Sequence, residues 1–359
     1  MRIVCVVGTR PNMVKMAPVI GALRRRFPDW RTATVHTGQH YDRLMSEIFL
    51  DELGMPEPDH VLGVGSGSHA EQIARVLERL QPVLAEESPD LVLVPGDVNS
   101  TLGAALCADK MGIPVGHVES GLRSFDRSMP EETNRIGADH LSALCFLHSE
   151  EAIENLRAEG VGDERMKFVG NTMIDTLVTL EERIRERDAG ASVGVEPGTY
   201  LLVTLHRPAL VDGPMLADAV DQLARLAREM PVFFPAHPRT RKAIERLGLE
   251  IPAGLEIVEP LGYLEFLNLL SRAAAVLTDS GGIQEEATFL GIPCATLRDN
   301  TERPVTVSMG TNVLLGLRPD RIGEVPALIE EVRGREATVP PLWDGAAAPR
   351  IVEVLRERR

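Results

Sequence analysis

The stretch LVLVPGDVNSTLGAALCADKMGIPVGHVES, residues 91–120, decides the fold. LVLV at 91–94 has no polar alternation, so it reads as a strand buried on both faces, as in a parallel sheet. Residues 99–111 carry a helical pattern, and 114–117 form a second short apolar run. Strand, helix and strand at this spacing make one βαβ unit. Outward from it, the first half repeats the unit. Strands are expected at 2–7, 31–36, 144–148 and 166–168, and helices at 12–26, 41–53, 69–86, 130–141 and 150–159.

The second half keeps this grammar in a different sequence. Strands are expected at 199–204, 231–235, 255–258, 275–278 and 293–296, with helices near 214–228, 239–247, 263–272, 281–289 and 320–333. Between the halves, a helical pattern at 172–187 runs into the loose stretch DAGASVGVEPG. The expected fold class is α/β, with two Rossmann-like doubly wound domains, 1–175 and 176–340, facing each other across a cleft. Residues 341–359 end in the amphipathic pattern PRIVEVLRERR, expected to pack back on the N-terminal domain. Such sheets bind ligands beyond the carboxyl ends of their strands.

Composition narrows the function. The 359 residues are 44% hydrophobic and 25% charged, an ordinary globular mix that excludes disorder. No apolar run approaches the ~20 residues of a membrane span, and MRIVCVV enters a strand at once rather than a secretory signal, so a cytoplasmic location is expected. The formal charge, 38 − 53 = −15, disfavours nucleic acid and anionic membranes as partners. The four cysteines lie far apart in apolar stretches, so buried free thiols are expected rather than a disulfide framework or a zinc site.

Polar residues gather where the strands end. In VVGTRPNMVKMAP (6–18) there is no G-x-G-x-x-G, which argues against a dinucleotide site. Gly8 can turn into a helix whose free N–H groups face an anion beside Arg10 and Lys15. Solvated surface charges are the plainer alternative for both. Asp97 follows the most buried strand; by itself it reads best as an N-cap for helix 99–111. GHVESGLRSFDRSMPEETNR (116–135) adds His117, Glu119, Arg123, Glu131, Glu132 and Arg135. Three carboxylates after two successive strands suggest acid–base work, since clustered acids raise one another's pKa. In the second half, His206 with Arg207 and His237 with Arg239 each follow a strand. In TDSGGIQEEA (278–287), Ser280, Gly281 and Gly282 open a helix whose bare N–H groups suit a phosphate. Glu286, just over one turn further, is within reach of a ribose hydroxyl pair.

These segments together resemble the non-hydrolysing UDP-N-acetylglucosamine 2-epimerase family. The matching pieces are GTRP (8–11), KMAP (15–18), TGQHYD (37–42), GD (96–97), GHVESGLRS (116–124), PEETNR (130–135), GNTMID (170–175), LHRP (205–208), HPRTR (237–241), TDSGGIQEEA (278–287) and RDNTERP (298–304). The resemblance implies a glycosyltransferase-B arrangement, often a homodimer, and interconversion of UDP-GlcNAc and UDP-ManNAc. The implied route is anti elimination of UDP to a 2-acetamidoglucal and re-addition with the C2 proton on the other face, without NAD or metal. It casts Asp97, Glu119, Glu131 and His206 as catalytic. It casts Arg10, Lys15, Arg135, His237, Ser280, Gly281, Gly282, Glu286 and Arg303 as substrate-binding, with Phe266 beside the uracil and Leu261 offering backbone.

The chain departs from the usual family residues at Asn12, Ser120 and Val305; Asn12 and Val305 are expected to line the UDP or sugar region. GVGSGSHAEQ (63–72) differs from the segment many bacterial members use for allosteric substrate binding, which implies weak or absent activation by substrate. The alternatives are a 2-epimerase of a related UDP sugar such as a diacetamido uronic acid, a glycosyltransferase, and a catalytically inactive nucleotide-sugar sensor. Neither of the last two requires three carboxylates and His206 together.

Overall fold

The computed structural model describes residues 1–38, 43–192, 194–248, 251–334 and 338–358. Residues 39–42 of TGQHYD, and the first two residues of the helix expected at 41–53, lie outside these. The chain divides into two compact units. Unit 1 is Met1–Thr179 with Pro341–Arg359, and unit 2 is Leu180–Pro340.

Unit 1 holds strands β1 (Arg2–Val7), β2 (Arg31–His36), β3 (His60–Val61), β4 (Leu91–Pro95), β5 (Val115–Ser120), β6 (Leu144–Leu147) and β7 (Met166–Phe168). They form one sheet in the order β3-β2-β1-β4-β5-β6-β7. Every pairing is parallel. Crossover helices, including Arg10–Arg26, His69–Glu87, Asn99–Lys110 and Pro130–Leu141, link the strands. All five residues of β4 are buried, as its unbroken apolar run requires. Helix His69–Glu87 starts at a capping box between Ser68 and Glu71, then buries Val76, Leu80 and Leu84 in the core beside β1 and β4. Burial of each leucine contributes roughly 1.5–3 kcal/mol.

Unit 1 also takes in residues 341–359. Helix Ala347–Glu357 packs on Arg10–Arg26 and buries Ile351, Val352 and Leu355. Asp175 accepts the N–H groups of Ala347 and Ala348 at 3.0 and 2.6 Å, answering two donors of that helix's first turn. Trp343 is buried and donates to the His148 carbonyl at 2.8 Å.

Unit 2 repeats the winding with β8 (Leu201–Thr204), β9 (Val232–Pro235), β10 (Leu255–Val258), β11 (Ala275–Thr278), β12 (Cys294–Thr296) and β13 (Asn312–Leu314), all parallel, in the order β10-β9-β8-β11-β12-β13. Its core joins Leu201, Val203, Phe234 and Leu277 to Leu216, Val220 and Leu223 of helix Met215–Leu226.

The strands expected from sequence are present, with β5 running on to Ser120 rather than stopping at 117. The sequence reading did not include β3 and β13, of two and three residues. The pattern at 320–333 resolves into a 3-10 turn, Pro319–Glu324, and helix Val325–Arg333. Cys5, Cys107, Cys145 and Cys294 are buried free thiols. No helix of the described residues is long and apolar enough to cross a membrane.

Candidate active site

In unit 1, β4 and β5 end side by side, and their ends bring Asp97 and Glu119 forward. Gly96 has φ +63°, the left-handed turn that glycine tolerates. A side chain there would lie 2.9 Å from the Lys15 ammonium, 3.4 Å from the Asn12 amide nitrogen and 3.9 Å from Glu119. Glycine therefore lets three polar side chains converge on the turn.

Asp97 is not the helix cap that its position alone suggests. The N-cap is Val98, and the Asp97 carboxylate instead faces the guanidinium of Arg135. The physical reason is the extra turn of chain after β4, which aims Asp97 toward helix Pro130–Leu141. Glu119 is also paired, with Lys15, and both side chains are buried. The expectation of carboxylates crowding one another gives way to two acids that each face a cation.

The backbone of Glu119 is strained. Its φ is +67°, and the register of β5 against β6 shifts between Val118 and Ser120. A non-glycine residue held left-handed at a bulge costs of order 1–3 kcal/mol and persists where the surroundings enforce it. The bulge re-aims the Glu119 side chain at Lys15.

Glu131 is half-buried in the first turn of helix Pro130–Leu141. Its neighbour Glu132 is buried and works as an anchor. Glu132 accepts Ser124 N–H, Ser124 Oγ and Phe125 N–H at 2.8–2.9 Å and pairs with Arg135 at 2.8 Å. Arg135 thus ties Asp97 to the loop after β5. Beneath the loop, His117 is fully buried. Its ring nitrogens lie 2.7 Å from Asp139 Oδ1 and 2.7 Å from the Gly96 carbonyl. Burial pushes the Asp139 carboxyl up, but His117 and Arg123 outweigh it and hold it below the usual range.

The remaining unit 1 candidates separate. Arg10 opens helix Arg10–Arg26, exposed, with its guanidinium 5.7 Å over the Phe49 ring. Asn12 is buried; it accepts from Gly8 N–H and Thr9 Oγ1 and donates to the Pro95 carbonyl at 3.1 Å. Its amide braces the turns after β1 and β4 together.

In unit 2, His206 follows β8 with its side chain half exposed. Its Nδ1 lies 3.0 Å from Oδ1 of the buried Asp279. The other Asp279 oxygen accepts the N–H groups of His206 and Arg207, each at 2.8 Å. Burial pushes the Asp279 carboxyl up, but His206 and these N–H groups hold it below the ordinary value. A carboxylate on Nδ1 fixes the imidazole and leaves Nε2 for proton transfer. Sequence reasoning missed Asp279, although it follows β11 as Asp97 follows β4. His237 caps helix Pro238–Leu247, with Nδ1 accepting Arg239 N–H at 3.3 Å.

Ser280 is the N-cap of helix Gly281–Leu290, and no side chain closes that cap. A Cβ at Gly281 would collide with the guanidinium of Arg303, so the absent side chain leaves cation and bare helix end together. Arg303 is buried against Glu285 at 2.9 Å and Glu302 at 3.4 Å, and Glu302 also binds Arg298 at 2.7 Å. Val305 is buried in the short helix after Arg303. Glu286 is buried and accepts the Tyr263 hydroxyl at 2.9 Å. Burial, reinforced by Glu285 against the opposing effect of Tyr263, pushes its carboxyl up to about 8. Leu261 and Phe266 are half-buried at helix Tyr263–Arg272.

Two parallel doubly wound sheets, one ending in paired acids and the other in a bare cationic helix start, define an α/β enzyme suited to proton transfer and phosphate binding. The comparisons narrow this class. The family model described as UDP-N-acetylglucosamine 2-epimerase matches residues 22–356. The UDP-N-acetylglucosamine 2-epimerase of Methanococcus maripaludis is 40% identical over 361 residues, 98% of this chain and 97% of that protein. The UDP-2,3-diacetamido-2,3-dideoxy-D-glucuronate 2-epimerase of Pseudomonas aeruginosa is 42% identical over 329 residues, 90% of this chain and 91% of its own. The crystal structure of the Methanocaldococcus jannaschii UDP-GlcNAc 2-epimerase in complex with UDP-GlcNAc and UDP superposes with TM-score 0.90 at 38% identity, covering 99% of this chain and all of the other. The chain belongs to the UDP-N-acetylglucosamine 2-epimerase family, a family of isomerases.

Proposed function

We propose that the protein epimerises UDP-N-acetylglucosamine at C2, giving UDP-N-acetylmannosamine reversibly. A base removes the C2 proton as the C1–oxygen bond breaks and UDP leaves, forming a 2-acetamidoglucal. UDP then adds back at C1 while an acid delivers a proton to the opposite face of C2. The C2 proton is not next to a carbonyl, so its removal needs a positioned base. Departure of UDP needs charge stabilisation at the diphosphate, which cations and helix N–H groups supply at a few kcal/mol per donor.

The observation that carries the reading is Glu119: a buried carboxylate on strained backbone, held against Lys15. Strain and charge burial stabilise neither a fold nor a passive sensor. In this assignment Asp97, Glu119 and Glu131 move protons, with Arg135 orienting Asp97, and His206 assists, oriented by Asp279. Arg10, Lys15, His237, Ser280, Gly281, Gly282 and Arg303 meet the diphosphate, Glu286 the ribose, and Leu261 and Phe266 the base. The same reading includes a homodimer in the cytoplasm serving cell-surface polysaccharide synthesis.

A second substrate, a UDP-diacetamido uronic acid, is favoured by the similarity to the Pseudomonas enzyme and by Asn12. A neutral amide where the family usually has glutamate removes one negative charge beside Lys15. Incubation of UDP-GlcNAc in D₂O tests the assignment. UDP-ManNAc carrying deuterium at C2 is expected. Turnover of the uronic acid alone would move the assignment to the second substrate, and free ManNAc with UDP would replace epimerisation by hydrolysis.

A further inference from the structure

The carboxyl of Glu286 is held from one side. Its Oε1 accepts the Tyr263 hydroxyl at 2.9 Å, whereas Oε2 has no hydrogen-bond partner among the described residues. The residue is only 3% exposed, yet Oε2 is not sealed from solvent, so a ligand can still reach it. Glu285, its neighbour, is turned to Arg303 instead. Five residues separate Glu286 from Gly281, an advance of about 7.5 Å along the helix from its bare N–H groups. That span suits the ribose of a nucleotide whose diphosphate sits at the helix start. Tyr263 stands three residues before Phe266 on helix Tyr263–Arg272, so the two share one helix face.

We infer that Tyr263 is a positioning residue for ribose recognition: its hydroxyl fixes Glu286 through Oε1, keeps Oε2 for the ribose hydroxyls, and so sets a preference for ribonucleotides over 2′-deoxyribonucleotides. The inference rests on the nucleotide reading of unit 2 proposed above. Near neutral pH the buried Glu286 carboxyl holds its proton. With Oε1 receiving the Tyr263 hydroxyl, that proton resides on Oε2, which donates to a ribose hydroxyl. A nucleotide lacking the 2′-hydroxyl leaves this donor unmatched, and an unmatched buried donor discriminates strongly. A contact that merely stapled two helices would change stability and leave this preference untouched.

The test is calorimetric titration at pH 7 of UDP and of 2′-deoxy-UDP into the full chain and its variants. The unaltered protein is expected to bind UDP about 10-fold or more tightly than 2′-deoxy-UDP. Tyr263→Phe should bring the ratio to within about twofold, with the kinetic loss falling on KM for the UDP sugar more than on kcat. Glu286→Gln, which keeps an acceptor and a donor in place, should retain the preference, and Glu286→Ala should abolish it. A wild-type ratio in Tyr263→Phe, with the ratio lost in Glu286→Ala, would overturn the role of Tyr263 and keep the ribose reading. Failure of the unaltered protein to bind UDP would overturn the nucleotide reading itself.

Discussion

In unit 1 the acids that end β4 and β5 each face one cation, Asp97 with Arg135 and Glu119 with Lys15, and the backbone under Glu119 is strained. In unit 2 the arrangement is inverted. Arg303 is the buried group at the helix start, and Glu285 and Glu302 hold it there. Glu286, held by the Tyr263 hydroxyl rather than by a cation, keeps its proton near neutral pH. The two units thus solve opposite problems on one fold. Unit 1 holds carboxylates against cations and aims them, as proton transfer needs. Unit 2 keeps a guanidinium aimed and a carboxyl neutral, as an anionic nucleotide needs.

The sharpest way to break this contrast is Glu119→Gln, which removes the charge and leaves the shape. A fall in kcat of about 10³-fold with unchanged circular dichroism is expected; a near-normal rate would remove unit 1 from the chemistry. Asp279→Asn should lower kcat by ~10²-fold and alter the alkaline or acid limb of the pH–rate profile, because His206 loses the group that fixes Nδ1. Gly281→Ala should weaken UDP binding by about 10-fold in calorimetry, because the new methyl displaces Arg303. It should also lower thermal stability, since displacing the buried guanidinium leaves Glu285 and Glu302 short of their cation.

Glu286→Gln sharpens the contrast through stability. The folded carboxyl titrates at about 8 against an ordinary 4.5. A raised value means stability fully present below 4.5 and lost as pH rises through 8. The variant should flatten that decline in denaturant titrations run across this window. The smallest effect expected is none at all: a hyperbolic rate curve with UDP-GlcNAc. The polar groups at 63–72 and their helix are already engaged, Ser68 with Glu71, Gln72 with Asn99, and Arg75 with the Val64 and Ser66 carbonyls. A sigmoidal curve would show that a second substrate site forms there nonetheless.

Apolar periodicity made most of the sheets legible, because parallel strands such as β4 are buried on both faces and read as unbroken runs. β3 and β13 were not legible, being too short to show a period. At the site, sequence position located Asp97, Glu119 and His206 at strand ends but not their partners. Arg135 and Lys15 lie 38 and 104 residues from the acids they meet, pairings that only the winding of the sheet determines. Asp97 read as a cap because aspartate before a helix usually is one; the glycine turn ahead of it changes its aim. Asp279 went unread because a buried acid announces itself only through the histidine it holds.

The closing helix of unit 1 has a consequence for how the polypeptide is made. Unit 1 is assembled from two stretches separated by the whole of unit 2, with Trp343 seated on His148 and the Ala347–Glu357 segment on Arg10–Arg26. On the ribosome, unit 2 emerges complete while unit 1 still waits for its final twenty or so residues. A released chain that stopped near residue 340 would therefore carry a finished second unit and an open first one, so that chaperone capture or protease attack falls selectively on unit 1.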